Sequence, residues 1–312
     1  MSAPILVTGA AGYIGQATVA RLRSAGIPVR ALTRRAAPPA LPGLSWIVRP
    51  DGLPQAGDLD GCQAVIHLAG RAHTSTVMHQ GVDLFDAANH LLARDCALAA
   101  RQAGVARFVL VSTLGVHGNV SQRPIDEASP LLGDTPYARA KIAGENAVSA
   151  ALEGSATRRV TVRPPMIYGP HCPGNFSRLL RLVQRGLPLP FGSVRARRSF
   201  MHVDNLADFL AYCAADTPAQ GLYTVADGSD YTLPQLIGRI GQGLGQPVRL
   251  LPCPPGLLRA LARLAGKARE VDSLTRPMLV DWRHARASGW APPLPPDNAL
   301  DQAIQAYATP RS

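Results

Sequence analysis

Short, wholly apolar runs recur through the first half of the chain, and segments of helical period separate them. Residues 4–8 form the first run, and its lack of polar alternation marks a strand buried on both faces. Residues 29–33, 46–48, 64–70, 108–113 and 159–163 are read as further strands, some with a polar residue within the run. Helical periodicity fills the stretch after residue 12 to about 25, then 83–102 and 135–153. Strand, helix, strand in that rhythm predicts a parallel sheet with helices on both faces, a doubly wound α/β fold. Beyond about residue 165 the rhythm changes. Loops become rich in Pro and Gly, and helices are predicted at 175–185, 204–215, 233–244 and 255–264. The expected organisation is a dinucleotide-binding unit over residues 1–165 and a smaller, mainly substrate-binding lobe over 166–312, with segments such as 221–225 free to rejoin the sheet.

The first strand runs into Gly9-Ala10-Ala11-Gly12-Tyr13-Ile14-Gly15 and then into a helix. Strand, glycine turn and helix are the context that a dinucleotide fingerprint requires. Gly9 allows the tight turn, Gly12 lets backbone approach a pyrophosphate, and Gly15 allows close helix–strand packing. The helix N-terminus adds amide donors and partial positive charge. The same fingerprint calls for an acidic residue after the second strand, to bind ribose hydroxyls. None is there: Asp51 is the first acidic residue of the whole chain, and Thr33-Arg34-Arg35 stand in its place. Arginines at that point accommodate a 2′-phosphate, so NADP is expected, with NAD the alternative. The fourth strand ends in Leu68-Ala69-Gly70, small enough for a flat ligand to approach the backbone. Ser112 and Thr113 place hydroxyls at the C-terminal end of the fifth strand, where ligands bind in doubly wound sheets, although ordinary strand-end turn chemistry uses the same residues.

Tyr137 and Lys141 lie four apart in the predicted 135–153 helix, on one face and roughly 6 Å apart along its axis. An ammonium beside a phenol disfavours its protonation, which predicts a Tyr137 pKa below its usual value and a tyrosine able to exchange a proton with a carbonyl or alcohol. The chain has only two lysines, Lys141 and Lys267, among its 32 basic residues. Arg is a planar fork and Lys a compact, rotatable charge, so a lysine kept at 141 points to chemistry that Arg does not serve.

Composition narrows the field. The 312 residues are 46% hydrophobic, ample for a core, and the net charge of +11 invites a nucleic-acid partner. The arginines are scattered in pairs at most, which favours small anionic ligands instead, and no nucleic-acid role is expected. Five widely spaced cysteines suggest neither a disulfide framework nor a metal site. No signal-peptide pattern and no apolar run of spanning length is visible, so a cytoplasmic protein with no membrane role is expected.

Together these elements resemble the extended short-chain dehydrogenase/reductases of the NAD-dependent epimerase/dehydratase type, over nearly the whole chain. Thr8–Gly15 looks like the cofactor fingerprint, Val65–Gly70 like the strand beside the nicotinamide, and Thr113 stands where the family has its Ser or Thr. Within the family the likeness is to UDP-hexose 4-epimerase-like proteins and UDP-4-keto-sugar reductases of surface-polysaccharide supply. Arg163-Pro164-Pro165-Met166-Ile167-Tyr168-Gly169-Pro170 is similar to their post-sheet segment, Asn175-Phe176 to the start of their substrate-covering helix, and the stretch from Arg197 to Asn205 to their diphosphate-binding segment.

The resemblance implies a Rossmann fold and a catalytic set of Thr113, Tyr137 and Lys141. It implies cofactor contacts from Gly9, Gly12, Tyr13, Ile14, Gly15, Arg34, Arg35, Asp51, Leu68, Ala69, Gly70, Tyr137, Lys141 and Pro164. Substrate contacts would come from Thr113, Asn175 and Arg198, with a UDP-sugar as partner and a homodimer formed through the 84–102 and 135–153 helices. It implies hydride exchange at sugar C4, with Tyr137 moving the proton. His117 stands where the epimerases usually have tyrosine, and no acid follows the second strand. These departures from the NAD-retaining pattern favour a reductase over the alternative 4-epimerase. Further alternatives are a reductase of a non-sugar ketone and a non-catalytic cofactor-sensing module.

Overall fold

A computed structural model describes residues 2–37, 39, 41–72, 77–79, 81–264, 266 and 268–308; for residues 268–270 and 273 only the backbone is described. Lys267 lies outside the described residues. Ile5–Thr8 (β1), Val29–Thr33 (β2), Leu44–Val48 (β3), Ala64–His67 (β4), Arg107–Val111 (β5), Arg158–Arg163 (β6) and Gly221–Thr224 (β7) form one seven-stranded sheet in the order β7-β6-β5-β4-β1-β2-β3. Every pairing in it is parallel. The order reverses at β1, which lies between β2 and β4, and the crevice beyond the carboxyl ends of those strands is where doubly wound sheets take ligands.

The wholly apolar strands are explained by two cores. Along β1, Ile5 and Val7 face one side, where they pack with Val19 and Leu22 of helix α1 (Tyr13–Ser24) and with Leu206, Phe209 and Leu210. Leu6 faces the other side, with Phe108 and Leu110, against Cys96 and Ala97 of α2 (Leu92–Gln102) and Val148 and Leu152 of α3 (Pro136–Leu152). Alternation with period 2 thus feeds both cores from the same strands.

Thr135 starts α3: its hydroxyl accepts the Ala138 amide at 3.0 Å, and Pro136 occupies the first helical position. The stretch before α2 departs from the single helix predicted over 83–102. Asp83 caps a short helix, Leu84–Asp86, and a π turn, Ala87–Leu91, leads into α2. The π turn lies against α3 so closely that a Cβ on Gly144 would sit 2.2 Å from the Asn89 carbonyl oxygen.

The second lobe has its own three-stranded sheet, Asp230–Thr232, Arg197–His202 and Met166–Tyr168 in that order, covered by α4 (Asn175–Gln184), α6 (Leu233–Gly243) and α8 (Pro296–Ala308). Between its segments the chain returns to the main sheet twice. Helix α5 (Val203–Ala214) packs beside α1 on one face, and β7 extends the sheet beyond β6. Buried Asp227 ties the junction: it accepts from the Tyr168 hydroxyl at 2.8 Å, the Asn205 amide at 2.7 Å and the His202 backbone at 2.8 Å. That knot fixes the lobe over the carboxyl edge of the sheet.

Candidate active site

A cleft opens at the switch point, lined among others by Gly9, Gly12, Arg34, Arg35, Leu68, Ala69 and Gly70. Gly9 has φ +66°, and a Cβ there would lie 2.7 Å from the Ala69 amide nitrogen. A Cβ on Gly15 would lie 2.3 Å from the Gly9 carbonyl, so the turn and the first helical residues close on each other only as glycines. Tyr13 and Ile14 send their side chains elsewhere, Tyr13 against the lobe core and Ile14 against the main core. What they offer a phosphate is their amides in the first turn of α1. Asp51 is exposed in the turn beside the cleft, where its carboxylate accepts the Leu53 amide at 3.0 Å, and its neighbour Gly52 lines the cleft. The cleft's glycine floor and two arginines, with no carboxylate among the described residues that line it, fit a dinucleotide bearing several phosphates.

At the end of β5, Thr113 caps the 3-10 turn Leu114–His117 by accepting the Gly115 amide at 3.2 Å. The Leu114 amide donates to the Pro164 carbonyl at 2.8 Å, so Pro164 fixes this turn from behind. Tyr137, at the start of α3, lies beside Thr113 and meets Phe85 edge to face, with ring centroids 6.0 Å apart. The predicted acidification of Tyr137 is not found. Burial pushes its phenol up to about 12, and the Thr113 hydroxyl offsets only part of that. Lys141 turns its ammonium to the Val111 carbonyl at 3.0 Å, and burial pushes it down to about 8, against the pull of Glu145. Desolvation is thus the larger effect on both groups, and it keeps the Tyr137 phenol protonated at neutral pH.

Asn89 was not legible in the sequence. Buried in the π turn, it accepts from the Arg71 amide at 3.1 Å and donates to the Arg71 carbonyl at 3.0 Å, which clamps the loop after β4. A Cβ on Gly70 would sit 2.6 Å from its Oδ1 and 3.4 Å from Lys141 Nζ. Behind Lys141, one helical turn on, Glu145 accepts from Nε and Nη2 of Arg163 along one edge of the guanidinium, at 3.1 Å from Nε to Oε1. Arg163 Nη1 donates to His117 Nε2 at 3.1 Å, and His117 Nδ1 donates to the Pro130 carbonyl at 3.0 Å. His117 thus spends both ring nitrogens on holding the turn after Thr113.

Three buried histidines share one electrostatic consequence. Burial lowers the pKa of His67 to about 3 and lowers those of His117 and His202. Unfolded, each takes up a proton near pH 6.5, so the unfolded state binds more protons below that value. Stability should therefore fall as pH drops through about 6.5, by about 1.4 kcal/mol per pH unit for each histidine that stays neutral in the fold. Asp227, pushed up by burial, works in the opposite sense nearer the carboxylate range. Thermal melts between about pH 7.5 and about pH 5 should show a falling midpoint; a flat midpoint contradicts this assignment.

Asn175, at the start of α4, and Arg198 line one cavity in the second lobe, otherwise walled by apolar and aromatic side chains such as Met166, Phe176 and Phe200. Arg198 donates to the Arg276 carbonyl at 2.8 Å and contacts Met278 Sδ at 3.1 Å. Burial alone pulls its pKa down to about 10, and no carboxylate pairs with it among the described residues.

The model for the NAD dependent epimerase/dehydratase family matches residues 5–226. The chain belongs to that family. It is similar to the UDP-glucose 4-epimerase of Vibrio cholerae, 29% identical over 98% of this chain and 96% of that protein. It is also similar to the ceramide reductase of Caulobacter vibrioides, 32% identical over 92% of this chain and 96% of that protein. Among solved structures, MoeE5 in complex with UDP-glucuronic acid and NAD superposes with a TM-score of 0.78 at 25% identity, over 97% of this chain and 98% of that one. This family member is therefore an enzyme of the NAD-dependent short-chain dehydrogenase/reductase type with a Rossmann-like sheet.

Proposed function

We propose that the enzyme exchanges hydride with C4 of a UDP-sugar, in the direction of ketone reduction and with NADP(H). The cofactor is held by residues 1–165 and the sugar nucleotide mainly by 166–312. The observation that carries the substrate class is Arg198, a half-buried cation with no acidic partner among the described residues, sharing a cavity with Asn175. A diphosphate supplies the charge that this guanidinium lacks, through bidentate, charge-assisted bonds.

When bound, NADPH supplies the hydride. Gly9, Gly12 and the first amides of α1 would hold its pyrophosphate, and Lys141, placed between Val111 and Gly70, would hold ribose hydroxyls. Thr113 hydrogen-bonds the C4 oxygen. Tyr137, protonated at neutral pH, gives that oxygen its proton, and the phenolate left behind is stabilised by Thr113 and the charge of Lys141. Run backwards and then forwards with the ketone turned over, the same groups epimerise C4, the activity for which the Vibrio relative is named. Purified protein given NADPH and a UDP-4-keto-6-deoxy-N-acetylhexosamine should oxidise the cofactor. Conversion of UDP-hexoses without net oxidation would make it an epimerase, and neither result would exclude the sugar reading.

A second reading, reduction of a ketone carried on a lipid, is favoured by the apolar walls of the cavity and by the likeness to a ceramide reductase. Cofactor choice has its own test. Arg34 and Arg35 line the cleft, and their joint replacement by Ala should weaken NADPH binding by roughly tenfold per arginine and leave NADH nearly unchanged. Equal weakening of both cofactors would make the pair mere surface charge.

A further inference from the structure

Acidic residues are missing from two stretches of the second lobe. Between residue 165 and Asp204 the chain has six arginines and no carboxylate, and between Asp230 and Glu270 its charged residues are Arg239, Arg249, Arg259, Arg263, Lys267 and Arg269. The two stretches meet: the Leu189 amide donates to the Arg249 carbonyl at 2.9 Å, and the Leu251 amide to the Leu189 carbonyl at 2.9 Å. Just beyond Leu251 the chain enters α7 (Pro255–Leu264).

Helix α7 buries Leu258 and Ala262 but leaves a second apolar face uncovered. Leu257, Leu261 and Leu264, at i, i+4 and i+7, are 52%, 55% and 88% exposed. Leu187 and Leu251 on the joined segments are exposed as well. Exposed leucines scattered singly are ordinary, whereas a helical row with two more on adjoining backbone is a patch that implies a partner. Arg259 and Arg263 lie one turn apart on the same helix, and Arg185 and Arg249 are exposed on the joined segments. Among the described residues none of these four arginines has a carboxylate partner.

We propose that this face docks the enzyme peripherally on an anionic bilayer, with the leucines of α7 in the acyl boundary and the arginines at lipid phosphates. An amphipathic helix that joins leucines to arginines and carries no acid binds such a surface in the interfacial plane. A second copy is the poorer occupant, because an isologous contact would set the arginines of one patch against those of the other. No described helix is long and apolar enough to cross a membrane, and docking in the interface requires none. The inference stands apart from the choice of substrate. It puts the second lobe, with the Asn175–Arg198 cavity, on the membrane-facing part of the molecule.

The test is flotation of the purified full-length protein with vesicles of phosphatidylcholine alone and of phosphatidylcholine mixed with phosphatidylglycerol. The protein should float with the anionic vesicles only, and less so as salt rises. Leu261→Asp with Leu264→Asp should lower that partition about tenfold or more, with melting temperature and NADPH affinity unchanged. Arg259→Ala with Arg263→Ala should lower it less. Three results would overturn the proposal: no flotation with anionic vesicles, flotation indifferent to the leucine pair, or a dimer in sedimentation velocity that the leucine pair dissolves.

Discussion

Lys141→Arg should remain folded and lose nearly all turnover, with kcat down roughly a hundredfold or more. The ammonium fits a narrow place, 3.0 Å from the Val111 carbonyl and 3.4 Å from where a Cβ on Gly70 would be. A guanidinium is wider, needs several acceptors in its plane and cannot be desolvated into the same spot. Charge is kept by the substitution, so a loss reports shape rather than electrostatics. The fold should survive because Glu145, the nearest acid, is already engaged by Arg163. Initial rates with saturating cofactor, alongside a melting curve, decide the matter. Activity within a few-fold of the parent enzyme would remove Lys141 from the chemistry.

Arg198→Ala should raise KM for a UDP-sugar and weaken UDP itself by about ten- to a hundredfold, while NADPH affinity stays unchanged. A diphosphate keeps its charge through ground and transition states, so the lost contact is mostly uniform binding and appears in KM more than in kcat. Arg198 also closes the lobe through the Arg276 carbonyl, so some stability goes with it. Unchanged UDP affinity with a lowered melting temperature would make Arg198 a structural tie and remove the main ground for a nucleotide-sugar substrate.

Features written as local pattern were legible in the sequence. The glycine turn, the apolar strands and the i, i+4 pair of Tyr137 and Lys141 each depend on neighbours in the chain, and the structure brings Tyr137, Lys141 and Thr113 together at the end of β5. Residues 221–224 pair with the sheet, inside the 221–225 segment that the sequence left free to do so. Interactions set by tertiary contact were not. The π turn at 87–91 forms where α3 presses on it at Gly144, and an inward Asn89 looks like any polar residue of an amphipathic helix. The Arg163–His117 contact joins residues 46 apart in sequence. Glu145 had a signal, since it continues the face of Tyr137 and Lys141 at helical spacing. The direction of the Tyr137 shift was misjudged because spacing shows which charge is near but not how much water is lost.

Hydride exchange at sugar C4 is tested most directly by isotope transfer. A panel of UDP-hexoses and UDP-hexosamines, each deuterated at C4, is incubated with the enzyme and oxidised cofactor, and the nicotinamide is recovered after denaturation for mass spectrometry. At least one sugar should place deuterium on the nicotinamide, and Tyr137→Phe should abolish that transfer. No deuterium from any C4-labelled sugar, in an enzyme that still reduces another ketone with NADPH, would contradict the nucleotide-sugar assignment.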